Sequence, residues 1–340
     1  MLPENDAASL KINQLEWLIQ TDAGLRGIHR NPGDNLCTFT RGHLLKAIQF
    51  LAQRPGCSVA IATGFYIPAG TPPAPESDGP LGALFLARSL HQLGYQVMLI
   101  TDALCAPPLH QGLEFFGIQA IDVIRFPVIP ANDNARHARA LDGVQCLISL
   151  ERVGPCHTPD SFSTQYPVRN EALLARFEKE GPGELAGLSL NMRGKSVSAF
   201  TAPIHVLFEE APQPIFTVGI GDGGNEIGMG AIPWHIISDN IQNGLGGKIA
   251  CRIPTDATIV AGVSNWAGYA IAAGVFARLT GGREFAKFYD ASQETKLLEE
   301  FCRTKSVVDG VKGIPALSVD GLKWDLHLNI MGLVASLIAA

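Results

Sequence analysis

Residues 214–230 read PIFTVGIGDGGNEIGMG, in which an apolar run leads into a glycine-rich loop. Six of the twelve residues 219–230 are glycines. The apolar run, residues 214–220, predicts a buried strand, and the glycines begin where that strand ends. Glycine tolerates positive φ and lets a ligand approach the backbone closely. A loop of this kind at the carboxyl end of a strand predicts a site for a small polar ligand. The alternative is a tight, solvent-exposed turn.

Other apolar runs predict the rest of a sheet. They lie at residues 58–65, 96–101, 123–128, 145–150 and 258–263. Near-continuous apolar runs are typical of parallel strands that are covered on both faces. Helical patterns occur at residues 10–20, 42–53, 81–93, 171–179, 266–279, 293–302 and 326–339. This alternation predicts an α/β fold, with a doubly wound, mostly parallel sheet between helix layers.

No repeat or linker divides the sequence, so we expect a single α/β domain over residues 1–340. The segment 154–214 is rich in proline and glycine and is interpreted as a lid or insertion within that domain. The stretch 257–277 carries no charge, but it contains Ser264, Asn265 and three glycines and divides into a strand and a helix. We therefore interpret it as buried core and expect no membrane partner.

Composition narrows the classes of partner and compartment. The chain has 340 residues and a formal net charge of −6, which weighs against a nucleic-acid partner. Seven scattered cysteines, without a C-x-x-C pair, predict reduced thiols in a cytoplasmic protein instead of a disulfide framework or zinc site. The N-terminus lacks the pattern of a signal or transit peptide. A homodimer is the default expectation for the oligomeric state.

The glycine loop carries the candidates for catalysis, which are Asp222, Asn225 and Glu226. Its backbone at Gly221, Gly223 and Gly224 is a candidate for substrate binding. The loop has no G-K-[ST] sequence, and Asp222 would repel a pyrophosphate, so no nucleotide cofactor is expected. The cofactor is otherwise unknown. Mg²⁺ or Mn²⁺ could be bound by Asp222 and Glu226, with Asp78 and Asp309 as further oxygen ligands.

A second segment with the features of a site follows the predicted strand 58–65. Asp78 is predicted to cap the next helix, with Pro80 in its first turn, and the free N–H groups near Gly79 would form an anion site. Two acids precede one helix start, so one of them is left for a ligand. The substrate-binding candidates in this segment are Thr63, Gly64, Glu76, Asp78 and Gly79.

Two further segments place polar residues at strand ends. Glu151 and Arg152 are adjacent and point to opposite faces of a strand, so they cannot pair with each other. Arg152 could bind a substrate carboxylate bidentately, and a surface ion pair is the alternative. Arg193, beside a glycine, is a second candidate cation. Ser264 and Asn265 lie at a strand-to-helix junction, where they would cap the helix or face a ligand.

Taken together, these segments resemble the D-glutamate cyclase C-terminal-like family. The matching segments are T-G-F at 63–65, E-S-D-G-P-L-G-A at 76–83, E-R-V-G-P at 151–155, M-R-G at 192–194, the glycine run at 219–230 and V-S-N-W-A-G-Y at 263–269. R-G-I at 26–28 matches the opening of the family. The resemblance extends roughly over residues 15–337.

The resemblance implies a hydro-lyase of D-amino acid metabolism that converts D-glutamate to 5-oxo-D-proline and water. Its implied partner is a small dicarboxylic amino acid. Animal members are mitochondrial and carry a second, N-terminal domain, which this sequence is expected to lack. The resemblance itself assigns no catalytic residues.

The residues suggest how such a lactam could form. The α-amine must be unprotonated, the γ-carboxyl must be electrophilic, and hydroxide must be helped to leave. Asp222 or Glu226 is expected as acid, base or metal ligand, and Arg152 with Arg193 as carboxylate clamps. Asn225 and Ser264 are expected as orienting donors.

This hypothesis requires the loops at 64–80, 151–154, 219–230 and 263–269 to meet at one pocket rim. Two alternatives remain open at this stage. One is a non-catalytic module that binds an amino acid or nucleotide, and the other is a phosphate-ester enzyme that uses helix N-termini.

Overall fold

A central sheet of six parallel strands organises the computed structural model, which describes residues 6–128, 140–212 and 214–340. Its strands are Ser58–Thr63 (β1), Gln96–Asp102 (β4), Asp122–Phe126 (β5), Cys146–Leu150 (β6), Phe216–Gly221 (β7) and Ala257–Val260 (β8). Two small antiparallel pairs accompany it, Tyr66–Ile67 (β2) with Ala74–Pro75 (β3), and Ser318–Val319 (β9) with Leu322–Lys323 (β10). All six strands predicted from apolar runs occur in the central sheet.

The strand order is β5-β4-β1-β6-β7-β8, and every neighbouring pair is parallel. Winding proceeds outward from β1 to β5 and then resumes at β6 on the other side of β1. The doubly wound α/β prediction is therefore confirmed. In such sheets, ligands bind beyond the carboxyl ends of the strands, at the point where the winding reverses. That point lies between β1 and β6.

Helices cover both faces of the sheet, and the seven predicted ones begin and end within three residues of their predicted bounds. The helices of the described residues are Ala7–Ile19 (α1), Leu36–Phe39 (α2), His43–Ala52 (α3), Pro80–Gln92 (α4), Ala106–Phe115 (α5), Pro159–Gln165 (α6), Glu171–Glu180 (α7), Val206–Glu209 (α8), Trp234–Asn240 (α9), Gly246–Ile249 (α10), Ser264–Leu279 (α11), Gly282–Phe288 (α12), Ala291–Thr304 (α13) and Trp324–Ala339 (α14).

Two hydrophobic clusters, one on each side of the sheet, form the core. The first contains α4 and α11, whose buried faces include Leu84 and Trp266. The second contains Trp234 together with Phe162 and Phe177. The last two residues belong to the segment 154–214, which thus packs beside the chain that follows β7. The expectations of a single domain and of a lid or insertion at 154–214 stay predictions.

The charge-free stretch 257–277 forms β8 and most of α11, as expected for buried core. Within the described residues, no helix combines the length and the apolar character needed to span a bilayer. All seven cysteines are free thiols.

Candidate active site

Six buried carboxylates from four parts of the chain meet beyond the carboxyl ends of β1, β6 and β7. We call them the acidic cluster, and its members are Glu76, Asp78, Glu151, Asp222, Glu226 and Asp320, each at most 8% exposed. Arg26 lies against this cluster. Its Nη1 is 3.3 Å from Asp222 Oδ1 and its Nη2 is 2.9 Å from Asp320 Oδ2. The side chain of Arg26 is 16% exposed, whereas those of Asp222 and Asp320 are 1% and 4% exposed.

Asp222 lies at the centre of this arrangement. It follows β7 directly, is fully buried, and neither of its carboxylate oxygens accepts a hydrogen bond from the described part of the chain. Oxygens of Asp78, Asp222 and Asp320 lie within 4.8 Å of one another, and the same holds for Glu151, Asp222 and Glu226. Asp222 is common to both groups. Its oxygens are therefore available to a ligand.

Glu226 is held by its own loop. Its carboxylate accepts hydrogen bonds from the backbone N–H groups of Gly223 (2.7 Å), Gly224 (2.8 Å) and Asp222 (3.3 Å). A Cβ at Gly221 would lie 2.6 Å from Glu226 Oε2, which explains one glycine, and Gly224 has a φ of +89°. The N–H groups expected to bind substrate at Gly223 and Gly224 thus bind Glu226 instead.

Asn225 anchors the same loop to its neighbours. Its Nδ2 donates to the carbonyl of Leu190 at 2.8 Å, and its own carbonyl accepts from the N–H of Gly154 at 3.0 Å. Its Oδ1 is buried and accepts no hydrogen bond from the described residues. The side-chain N–H group of Asn225, which was expected to orient a substrate, therefore anchors the loop instead.

Asp78 and Asn265 cap each other's helices. Asp78 was predicted to cap α4, but its carboxylate accepts from the N–H groups of Ser264 (2.9 Å) and Asn265 (2.8 Å) at the start of α11. Asn265 Oδ1 accepts from the N–H groups of Gly79 (2.9 Å) and Gly82 (2.7 Å) at the start of α4. The capping prediction for Asp78 was wrong because Gly79, with a φ of +99°, takes the cap position. The anion site expected near Gly79 is filled by Asn265.

Ser264 is not a cap. It is the first residue of α11, and its Oγ donates to Glu151 Oε2 at 2.6 Å. Glu151 itself has a φ of +46°, and Asp320 has a φ of +54°. Positive φ is uncommon outside glycine and costs backbone energy, and such residues concentrate at functional sites. Two of the six residues of the acidic cluster, Glu151 and Asp320, therefore have this uncommon backbone conformation.

The predicted arginine clamps lie outside the cluster. Arg152 is 1% exposed, and its Nη1 donates to Asp102 Oδ2 at 2.5 Å and to the carbonyl of Gly64 at 2.6 Å, while its Nη2 donates to the carbonyl of Ala202 at 2.8 Å. Through these hydrogen bonds, Arg152 connects the end of β6 with β4 and with the chain after α7. Arg193 is exposed on a turn organised by Asn191. Arg26 is the cation that the structure brings to the acids.

Thr63 and Gly64 end β1 beside the cluster. Thr63 is buried, and a Cβ at Gly79 would lie 2.8 Å from its Oγ1 and 3.2 Å from Glu151 Cβ. Gly64 has a φ of +119°, and its carbonyl is taken by Arg152.

Asp309, considered above as a metal ligand, organises a loop instead. Its carboxylate accepts from the N–H groups of Val311, Lys312 and Gly321 and from Ser318 Oγ. Both oxygens are thereby occupied.

Sequence reasoning missed Arg26 and Asp320 as site residues. Arg26 was noted only as part of the R-G-I segment. Asp320 stands in the second of two V-D-G segments, at 308–310 and 319–321, and a repeated V-D-G segment is also typical of ordinary turns. The two aspartates have different contacts in the structure. Asp309 accepts hydrogen bonds from the backbone of its own loop, whereas Asp320 pairs with Arg26 and belongs to the acidic cluster.

Burial dominates the electrostatics of the site. Removal from water raises the pKa of Asp222 well above its ordinary value; Arg26 lowers it in part, and Glu151 and Asp320 raise it further. Burial, reinforced by neighbouring carboxylates, likewise raises the pKa values of Glu76, Asp78 and Glu151 well above their usual range. The pKa of Glu226 is also raised by burial, and backbone hydrogen bonds oppose the rise. A proton, an ammonium group or a divalent cation would relieve this repulsion.

The donor atoms fit a hard divalent cation. The acidic cluster offers only carboxylate oxygens, which Mg²⁺ and Mn²⁺ prefer. Asp222, whose buried oxygens accept no hydrogen bond from the described residues, is the natural first ligand. The donor set therefore suits the metals that the sequence suggested.

Comparison with known proteins shows the family of this chain. Human mitochondrial D-glutamate cyclase is 31% identical to this chain over an alignment that covers 94% of the chain. The chain spans about half the length of that relative, since the alignment covers 50% of it. The family model described as D-glutamate cyclase-like, C-terminal, matches residues 15–334. This chain belongs to the D-glutamate cyclase-like, C-terminal family.

Proposed function

We propose that this protein is a hydro-lyase that closes D-glutamate to 5-oxo-D-proline with loss of water, and that the acidic cluster is its active site. The observation that supports this most is the position of Asp222. It is buried at the carboxyl edge of the sheet, its oxygens accept no hydrogen bond from the described residues, and they face four other carboxylates and the guanidinium of Arg26. The printed name of the human relative supports the choice of substrate.

Proton transfer is the first task of the reaction. The α-amine of D-glutamate must lose a proton before it attacks, and the departing hydroxide must gain one. A general acid or base works best when its pKa lies near the working pH, and burial raises the pKa of the Asp222 carboxyl toward that range. Asp222 is the residue we assign to this role. Glu151, oriented by Ser264, is the second carboxyl within reach of the same space.

Charge compensation is the second task. D-glutamate brings two carboxylates, and Arg26 offers one guanidinium that can bind one of them bidentately. A divalent cation would be held by Asp78, Asp222 and Asp320, or by Glu151, Asp222 and Glu226. When bound, such an ion polarises the γ-carboxyl and stabilises the developing oxyanion. The protein contributes carboxylates that are already oriented, Asp78 by the N-terminus of α11 and Glu226 by the glycine loop.

The geometry argues against the alternative of an enzyme that acts on phosphate esters. The helix N-terminus near Gly79 is filled by Asn265, and the surrounding carboxylates would repel a phosphate. A cytoplasmic location, suggested by the free thiols, and a homodimeric state stay predictions.

The proposal is tested by incubating the protein with D-glutamate and Mn²⁺ or Mg²⁺ and measuring 5-oxo-D-proline by chiral chromatography. We expect lactam formation by the native protein and a loss of about 100-fold or more for Asp222→Asn, in line with the removal of a general acid or base. Glu294→Gln is the matched control, since Glu294 is also buried but pairs with Arg88, away from the cluster. Absence of lactam from folded, metal-supplied protein would overturn the proposal.

A further inference from the structure

We propose that the acidic cluster binds two divalent cations, with Asp222 as the ligand that both share. This inference rests on the proposed function, because it specifies how the same site neutralises and orients its carboxylates. It goes beyond the proposed function in the number of ions and in the role of Asp222, which in the metal-loaded site acts as a bridging ligand instead of as the proton-transfer group.

The first observation is the division of the cluster into two groups of ligands. Oxygens of Asp78, Asp222 and Asp320 lie within 4.8 Å of one another, and oxygens of Glu151, Asp222 and Glu226 form a second group within the same distance. Asp222 is the only residue of the cluster that belongs to both groups. A carboxylate with two unbonded oxygens can offer one to each ion, as in two-metal sites whose ions lie about 3.5–4 Å apart.

The second observation is that hydrogen bonds from outside the cluster orient three of the carboxylates around Asp222. Backbone N–H groups of Ser264 and Asn265 hold Asp78, and those of Gly223 and Gly224 hold Glu226. Ser264 Oγ holds Glu151. Outer contacts of this kind fix the ligands of metal centres. Each of the two groups contains ligands held in this way, whereas Asp222 accepts no hydrogen bond from the described residues and pairs only with the guanidinium of Arg26, at 3.3 Å.

Charge favours two ions over one. Fully ionised, the six carboxylates carry six negative charges, and Arg26 compensates one of them. One divalent cation would leave three negative charges in a buried site, and two would leave a single one. Uncompensated buried charge is costly, so the second ion removes most of the remaining penalty.

The test counts ions on the full chain after chelation and dialysis. Native mass spectrometry and calorimetric titration with Mn²⁺ alone should give two ions per chain. Asp320→Asn should leave one ion, and Glu151→Gln should leave the other. Asp222→Asn should weaken both sites by about 10-fold or more, on the scale of altered metal coordination. Glu294→Gln should retain two ions at the native affinity.

Electron paramagnetic resonance provides a second readout. Two Mn²⁺ ions that share a carboxylate should give a spin-coupled spectrum, and each single-site variant should give the signal of an isolated ion. Circular dichroism and thermal melting identify variants that fail to fold. If a variant fails to fold, the proposal is judged from the spectrum and the Mn²⁺ stoichiometry of the native protein.

Some results would overturn the proposal. These are a single Mn²⁺ per native chain, an uncoupled spectrum at full loading, or two ions bound at native affinity by Asp222→Asn. The outcome is separable from that of the proposed function. Two coupled ions without lactam formation would refute the cyclase activity alone, and lactam formation with one ion would refute the binuclear site alone.

Discussion

Asp222 and Glu226 lie four residues apart in one loop and have contrasting surroundings. Glu226 accepts three backbone hydrogen bonds, whereas Asp222 accepts none from the described residues. The sequence identified both as site acids because both lie among glycines. It could not tell them apart, since the difference depends on how the loop folds back on itself. We therefore interpret Glu226 as the acid that shapes the loop and Asp222 as the acid that reacts.

At the same scale, Ser264→Ala should impair the site with little effect on the fold. It removes the donor 2.6 Å from Glu151 Oε2, which raises the pKa of Glu151 further because its charged form loses a hydrogen bond. We expect a loss of about 1 kcal/mol in the free energy of unfolding and about 10-fold in Mn²⁺ affinity. The acidic limb of the profile of kcat/KM against pH should shift upward.

Urea unfolding, Mn²⁺ titration and rate measurements from pH 5 to 9 check this prediction. Ser292→Ala is the matched control, because Ser292 is exposed in the first turn of α13. If Ser264→Ala kept the native Mn²⁺ affinity and pH profile, Ser264 would have no positioning role.

At the scale of elements, the strands were predictable and the helix caps were not. Each central strand is a short apolar run, so local sequence was sufficient to place it. The caps of α4 and α11 come from residues 187 positions apart, Asp78 and Asn265, and each serves the other's helix. Local rules assign a cap to the helix that follows it. They fail where two helix starts are brought face to face by the sheet.

A pair of glycine substitutions tests the packing of two elements. Gly219 lies in β7, where a Cβ would overlap the Cα of Gly228 and lie 2.5 Å from the carbonyl of Ile227. Gly332 lies in α14, with nothing within 4 Å of its Cβ position. Gly219→Ala should lower the free energy of unfolding by about 3 kcal/mol through overpacking. Gly332→Ala should raise it by about 1 kcal/mol through helix propensity.

Urea denaturation of both variants measures these changes. Equal stabilities for the two variants would show that the β7 loop relaxes freely, contrary to the close backbone contact described above.

At the scale of the whole molecule, the parallel sheet brings the site together. The parallel strands end at one edge, so residues from 26 to 320 meet there. The expectation that the loops after β1, β6, β7 and β8 share one place agrees with the contacts of Asp78 with Ser264 and of Glu151 with Ser264. Asp320 could not be placed from sequence, because β9 and β10 lie outside the central sheet. Its turn reaches the cluster only through tertiary packing.

The raised pKa values make stability depend on pH in a defined direction. Glu76, Asp78, Glu151 and Asp222 hold protons in the folded state at pH values where they ionise in the unfolded chain, since their ordinary pKa values are 4.5 for Glu and 3.8 for Asp. The metal-free protein should therefore lose stability as pH rises above about 4.5. Asp222→Asn should flatten this decline.

Urea unfolding of chelator-treated protein between pH 5 and 8 measures the decline. Mn²⁺ at about 100 times its dissociation constant should restore about 2.7 kcal/mol of stability per bound ion at pH 8. Stability that stays level or rises over this range without metal would contradict the raised pKa values.

Arg26 is more exposed than the two carboxylates that it pairs with. Its guanidinium spans Asp222 and Asp320 while remaining 16% exposed, and its backbone N–H is fixed by Asp22 at 2.8 Å. A rotamer change of such a side chain takes picoseconds to nanoseconds, whereas loop and domain movements take up to milliseconds. If a small ion enters past Arg26, its admission requires only a side-chain rotation, and the turnover rate of the protein need not be limited by the opening of a segment of chain.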